Sequence, residues 1–315
     1  MNIIEAKNVS KRYHGHIALE NVTITVSEGS VFGLLGPNGA GKTSLIRIVN
    51  QITGPDEGQV FFNGELLQSK HTALIGYLPE ERGLYKKMEV GEQALYLARL
   101  KGLSRKDALT KLKYWFEKFE IQEWWNKKVE ELSKGMAQKV QFIVTVLHEP
   151  PLLILDEPFS GFDPINANLI KNEILELQKK GSTIVFSTHN MSSVEEMCDH
   201  IALINKSKVV LDGNVNEIRK QFRSRTYEVE LSHTNSIALS NALWTGFELD
   251  EVKSIDKNTL KTKIKLLNNN TPNDLIKVLI EVGQLEVFKE IIPSMNDIFI
   301  SAVVGKGEEI PILTE

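Results

Sequence analysis

A single cysteine, Cys198, rules out an internal disulfide, so no covalent staple contributes to the fold. It lies beside Met197 and Val194 in an amphipathic stretch, which predicts a buried, inert thiol. Charge is nearly balanced. The 37 Lys and Arg against 41 Asp and Glu leave a formal net charge of −4, which gives no general electrostatic case for a nucleic-acid partner. Long apolar runs are missing as well. The greasiest stretch, FIVTVLHEPPLLIL, is broken by His148, Glu149 and two prolines, short of the roughly 18 apolar residues that a membrane-spanning helix needs. The opening MNIIEAKNVSKRY alternates like a strand and shows no signal-peptide core. No internal repeat is visible. What is present is 315 residues, 42% hydrophobic and 25% charged, suited to one large domain and a smaller one.

The pattern changes twice along the chain. Residues 1–65 alternate apolar and polar with glycine punctuation, which reads as β-rich with one helix at about 42–51. Residues 90–121 are richer in helix formers, and the stretch from about 85 to 145 reads as a mostly helical insert. From 133 to 212, helices alternate with the buried strands LLILD and TIVFST. That pattern predicts an α/β core with a mostly parallel sheet. Composition shifts again near 213–226, where a strand, a helix, two strands, a helix and a strand suggest a small α+β domain of ferredoxin-like type. Its second helix would start at Thr271 or Asn270, ahead of Pro272 and Asp274. The expected organisation is a large domain over 1–215, a linker over 216–224, the α+β domain over 225–305 and a loose tail over 306–315.

GPNGAGKTS, residues 36–44, follows the apolar SVFGLL and precedes the helix-like LIRIVN, the strand–loop–helix setting that G-x-x-x-x-G-K-[ST] requires. Gly36, Gly39 and Gly41 allow the turns that point backbone N–H groups at phosphate oxygens, and the helix N-terminus adds partial positive charge. Lys42 would reach the β- and γ-phosphates, and the Thr43 hydroxyl would ligate Mg²⁺. LLILDEP, residues 152–158, delivers Asp156 and Glu157 at the carboxyl end of a buried strand, where ligands sit in open α/β sheets. Two adjacent carboxylates after an apolar run need a cation or polar partners. Asp156 suits the Mg²⁺, and Glu157 suits polarising an attacking water. TIVFSTH ends in Ser187, Thr188 and His189, and His189 suits sensing a γ-phosphate or orienting that water. The other histidines, His14, His16, His71, His148, His200 and His233, have no metal-ligand spacing and carry no assignment.

The ordered set GPNGAGKTS, LSKGMAQ, LLILDEPFSGFDP and STH resembles the nucleotide-binding subunit of ATP-binding cassette (ABC) transporters over residues 1 to about 215. The resemblance implies a P-loop NTPase fold and an ATPase, with Glu157 as catalytic base, His189 as switch histidine and Lys42 on the phosphates. It implies nucleotide contacts from Tyr13, stacked on adenine, from Gly36, Asn38, Gly39, Ala40, Gly41, Lys42, Thr43 and Ser44, and from Glu80. LSKGM stands where the family has LSGGQ, with Lys134 for a glycine and Met136 for the glutamine. Ser133 and Gly135 would therefore bind the γ-phosphate held by a second subunit, and Asp163 would signal between the two sites. Glu80 stands where most members have a glutamine. Its carboxylate can still serve Mg²⁺ with Thr43 and Asp156, but it adds charge and lacks the amide donor. The string GYLPEERGLYKKMEVGEQALYLARLKG resembles a branch that often has glutamate there.

Residues about 220–305, ending in PSMNDIFISAVVG, resemble the accessory domain of some drug, peptide or sodium export ATPases. The resemblance implies ATP and Mg²⁺ as cofactors and a homodimer, or a heterodimer with a similar subunit, closed around nucleotide. It also implies a separately encoded membrane permease contacting the helical insert, no nucleic acid, and a peripheral location on the cytoplasmic face of the cell membrane. Export is the expected direction. An import ATPase, a soluble ABC ATPase of translation or repair, and a non-catalytic nucleotide-dependent module are the alternatives. Within the insert, Trp115, Phe116, Phe119, Trp124 and Trp125 form an aromatic cluster. Adjacent tryptophans cannot share one helix face, so one of Trp124 and Trp125 is expected at an interface.

Overall fold

The structure, a computed structural model, describes residues 1–304 apart from 82, 244, 245 and 257. The expected tail over 306–315 and Gly305 lie outside the described residues. By contacts, the chain divides into one compact unit over Met1–Val215 and another over Asn216–Ser301.

The first unit opens with an antiparallel sheet in the order β2-β1-β4-β5, built from β1 (Asn2–Tyr13), β2 (His16–Ser27), β4 (Glu57–Phe62) and β5 (Glu65–Leu66). Between them come β3 (Val31–Leu35) and α1 (Lys42–Val49) of the central layer. The chain continues through β6 (Ile75–Leu78), α2 (Val90–Leu100), α3 (Arg105–Lys118), α4 (Lys134–Val146), β7 (Leu152–Asp156) and α5 (Pro164–Lys179). It then adds β8 (Thr183–Thr188), α6 (Met191–Met197), β9 (His200–Asn205) and β10 (Lys208–Asn214). The central sheet has the order β10-β9-β3-β8-β7-β6. Its pairs are parallel except β10 with β9, which close as an antiparallel edge hairpin.

The apolar runs become central strands because both of their faces are covered. Every residue of VFGLL, LLILD and TIVFST is buried. Alternate residues serve opposite faces: Leu153 and Leu155 join the core under the helical insert, whereas Leu152 and Ile154 join the core with α1 and the N-terminal sheet. Cys198 packs against the first of these cores, and burial pushes its thiol pKa up.

The aromatic cluster of the insert is core. Trp115 lies 5.6 Å from Phe119 and 6.2 Å from Phe142, centroid to centroid. Trp124 and Trp125, one of which is expected at an interface, both pack half-buried against this same core, and each keeps part of its surface exposed. They lie at the end of a short 3₁₀ turn, Gln122–Trp124. Trp125 meets the Phe116 ring edge-on at 5.4 Å and occupies the space that a side chain at Gly91 would need.

The second unit runs through α7 (Val215–Gln221), β11 (Thr226–Ser232), α8 (Ser236–Ala242), β12 (Phe247–Leu249), β13 (Lys253–Ser254), β14 (Thr259–Leu266), α9 (Pro272–Val282), β15 (Gln284–Glu290) and α10 (Met295–Val304). Its antiparallel sheet has the order β12-β14-β11-β15, with β13 added on β14, and α8 and α9 supply Leu239, Leu275 and Leu279 to its core. This is a split β-α-β connectivity. Of the two candidate starts for α9, Thr271 is the cap. It accepts from Asp274 N while Asp274 accepts from Thr271 N, a reciprocal box with Pro272 at the first helical position.

Candidate active site

Parallel strands put their carboxyl ends on one edge of a sheet, and the order β3-β8-β7-β6 decides which loops meet there. Leu35 lies opposite Thr188, Asp156 opposite Ser187, and Leu78 opposite Leu155. The 36–41 loop after β3, His189 after β8, Glu157 after β7 and Glu80 after β6 are therefore brought into one row. His189, Glu157, Glu80 and residues 38–41 of the loop line a cleft of about 460 Å³ with Tyr13, His16, Ala18, Lys42, Thr43, Ser44, Asp156 and Ser160.

The loop itself depends on two glycines. Gly36 has φ 146°, and a Cβ there would stand 3.2 Å from both Ala40 Cβ and the Ile204 carbonyl carbon. Gly41 has φ 118° and caps α1, and a Cβ on it would come 2.9 Å from Leu19 Cδ2. No side chain caps the first amides of α1 and no acid sits in its first turn, so the helix presents unneutralised N–H groups beside the cleft. Lys42 is only 7% exposed and donates to the carbonyls of Gly36 at 2.7 Å and Pro37 at 3.2 Å. Burial lowers its pKa, while the carboxylates of Glu157, Asp156 and Glu80 oppose the shift.

The acidic wall is held just as tightly. Asp156 is 3% exposed and accepts a hydrogen bond from Ser187 Oγ. Glu157 adopts φ 48°, the left-handed region, at a cost of roughly 1–2 kcal/mol for a residue with a Cβ. Its N–H donates to both the carbonyl and the hydroxyl of Ser187 at 3.2 Å, which holds the turn. Its Oε1 lies 2.8 Å from His189 Nδ1, and its Oε2 accepts from Thr188 Oγ1 at 3.5 Å. The Glu157 side chain is 13% exposed and that of His189 71%, so a shielded carboxylate is paired with an imidazole that reaches the open side. At the other end of the cleft, Lys11 Nζ lies 5.4 Å from the centre of the Tyr13 ring and is tied to Asp56 at 2.7 Å.

Residues 19–160 match the family model described as ABC transporter, and residues 213–303 match one described as ATP-binding protein DrrA1-3-like, C-terminal domain. An uncharacterized ABC transporter ATP-binding protein of Alkalihalophilus pseudofirmus is 40% identical over 270 residues, covering 86% of this chain and 98% of the relative. The chain belongs to the ABC transporter ATP-binding proteins. A second such relative, YhaQ of Bacillus subtilis, is 38% identical over 94% of this chain and 97% of its own length. A solved structure described as an ATP binding subunit of an ABC transporter superposes with a TM-score of 0.65 at 32% identity, over 70% of this chain and 93% of that one. Membership carries the coarse activity with it: an ATPase coupled to transport.

In this ABC ATP-binding protein, four residues expected at the nucleotide do not line the cleft. Gly36 contributes its carbonyl to Lys42 from behind. Ser133 caps α4 by accepting from Met136 N at 3.3 Å, and Asp163 caps α5 by accepting from Ile165 N and Asn166 N at 3.0 Å. Hydrogen bonds from Asn166 hold the Asp163 carboxyl below the usual range. Gly135 has the Gly161 carbonyl and Phe162 as neighbours, Lys134 lies along Gly161, and Gln138 Nε2 donates to the Ser160 carbonyl. LSKGM and SGFDP thus form one contiguous surface. Three cleft residues, His16, Ala18 and Ser160, carry no assignment from the sequence.

The donor set fits Mg²⁺. Thr43, Asp156 and Glu80 offer hard oxygen ligands, and no group of three or more His, Cys, Asp or Glu side chains able to hold a metal occurs among the described residues. A cation bound here would share its ligands with phosphate oxygens and water rather than sit in an all-protein cage, which is the habit of Mg²⁺.

Proposed function

We propose that this protein hydrolyses ATP to ADP and phosphate in a Mg²⁺-dependent reaction at two composite sites of a head-to-tail dimer, and so powers a separate export permease. The observation that carries the reading is the 2.8 Å contact of His189 with Glu157, at a cleft also lined by Lys42 and the loop amides. Glu157 takes the proton of the attacking water, and His189 holds the carboxylate oriented and reaches toward the γ-phosphate. The water oxygen bonds to the γ-phosphorus as the bond to the β–γ bridging oxygen breaks. Lys42 and the amides of the loop stabilise the charge that develops on the oxygens. Thr43, Asp156 and Glu80 would hold Mg²⁺, which supplies charge neutralisation at the phosphates when bound. Tyr13 stacks on the adenine.

Ser133, Gly135 and Asp163 lie outside this chain's cleft, so their nucleotide contacts are made to the cleft of a second copy. There the capped N-terminus of α4 presents its amides to the γ-phosphate. Nucleotide-biased closing and opening of the pair is the motion delivered to the permease. Among the described residues no helix is long and apolar enough to cross a membrane, which fits a permease carried by a separate chain. The place of this protein in this reading is peripheral, on the cytoplasmic face of the cell membrane.

A groove of about 430 Å³ lined by Tyr77, Pro79, Leu84, Leu97, Leu100 and Val144, among others, is the docking place. Tyr85, Tyr96 and Leu100 are exposed on the insert beside it. Strand β6 contributes Tyr77 to the groove and leads to Glu80 in the cleft, so the two sites share an element. The DrrA1-3-like accessory domain supports export over import. The test is Glu157→Gln in the purified protein. ATP binding is expected to survive while hydrolysis falls by orders of magnitude, and near-normal turnover would remove Glu157 from the base role.

A further inference from the structure

His16 lies in the cleft although it belongs to none of the phosphate-loop, carboxylate or signature motifs. It opens β2 directly opposite Tyr13, the last residue of β1, across the two-residue turn His14–Gly15. Both turn residues have positive φ, 37° and 83°, as a tight hairpin of this hand requires. Residues directly opposite in an antiparallel pair project from the same face, so the two side chains leave the hairpin on the same side, and both line the cleft. His16 and Ala18 also share a face of β2, and both line the cleft. Ala18 in turn backs the phosphate loop, since a Cβ on Gly41 would lie 3.4 Å from the Ala18 carbonyl carbon.

The strand therefore gives the cleft an order: Tyr13 at one end, His16 next, then Ala18 against the loop that begins at Gly36. A nucleotide stacked on Tyr13 with its phosphates in that loop has its ribose between the two, level with His16. The imidazole is exposed, and among the described residues no hydrogen bond or ion pair engages it. By contrast, His189 and His200 are each committed to a carboxylate. We infer that His16 is a specificity residue of the cleft, which hydrogen-bonds the ribose hydroxyls of the bound nucleotide. The inference rests on the nucleotide reading of the cleft proposed above.

The test is equilibrium binding of ATP, 2′,3′-dideoxy-ATP and inorganic tripolyphosphate to the full chain as wild type, His16→Ala, His16→Gln and Lys42→Ala. Wild type is expected to prefer ATP over dideoxy-ATP by about 3- to 10-fold, the range of one neutral hydrogen bond. His16→Ala should lose that preference and bind ATP about as weakly as dideoxy-ATP, with tripolyphosphate affinity unchanged, and His16→Gln should restore part of it. An alanine variant that keeps the preference for ATP overturns the inference, as does one that loses affinity for tripolyphosphate to the same extent. If wild type bound ATP no better than Lys42→Ala, the nucleotide reading itself would fall. The two failures are thus told apart.

Discussion

Replacing Ser187 by alanine is expected to loosen the acidic side of the cleft without touching any residue assigned to nucleotide. The Ser187 hydroxyl donates to Asp156 Oδ1 and accepts from Glu157 N. Both side chains are buried, Ser187 at 0% and Asp156 at 3% exposure, so bulk water cannot replace the lost donor. A hydrogen bond to a charged acceptor contributes about 1.5–3 kcal/mol. The Glu157 N–H keeps the Ser187 carbonyl at 3.2 Å, so the strained turn retains one partner and the backbone adds little to the loss. The expected destabilisation is about 2 kcal/mol, or roughly 4–8 °C in Tm for a unit of this size. Urea and thermal unfolding of wild type, Ser187→Ala, Asp156→Asn and the double variant give the pairwise coupling, expected at about 1–2 kcal/mol. A single variant within about 0.5 kcal/mol of wild type, the usual range of an inconsequential surface change, would refute the reasoning.

Burial, with the charges of Lys101 and Lys111 added, holds His148 below its ordinary 6.5, at about 4. The folded state keeps it neutral, so its contribution to stability is present above pH 6.5 and lost as pH falls toward 4. His148→Gln should therefore flatten the acid limb of stability in that window, and an unchanged slope in denaturation from pH 7 to 4 would count against it. Trp125→Ala should cost roughly 2–4 kcal/mol through the cavity left beside Phe116 and Gly91, yet permease capture should persist once folding is secured at low temperature. Leu100→Glu should do the reverse, leaving stability near wild type and abolishing capture. Thr271→Ala should lower the stability of the accessory domain by about 1 kcal/mol, read by its unfolding transition.

Those elements whose physics is local could be read directly from the chain. LLILD and TIVFST had to be central strands, because only burial on both faces suits continuous apolar runs, and the glycines of 36–44 had to form a tight loop ahead of a helix. The site residues on strand ends were legible for the same reason. What no local pattern carries is the lateral strand order, which sets Ser187 against Asp156 and brings His189 to Glu157. His16 was missed because its importance comes from register: only the pairing with Tyr13 shows that the imidazole faces the cleft. A hairpin signal was present in YHGHI, and counting outward from His14–Gly15 would have put the two residues opposite. The tryptophan pair shows how far local pattern reaches: both rings pack half-buried on the insert's core, and which of them a partner covers is decided outside this chain. Ser133 and Asp163 show a different limit. Within one chain they are helix caps, and the nucleotide role proposed for them requires a second molecule.

That dependence is the central claim, and sedimentation of two slow-hydrolysing variants with ATP and Mg²⁺ tests it most directly. Glu157→Gln should convert from monomer to dimer on adding ATP. Glu157→Gln combined with Ser133→Arg should still bind ATP yet remain monomeric, because the bulky cation blocks the N-terminus of α4 from the opposing nucleotide. A doubly substituted protein that dimerises with ATP as the single variant does would contradict the composite site.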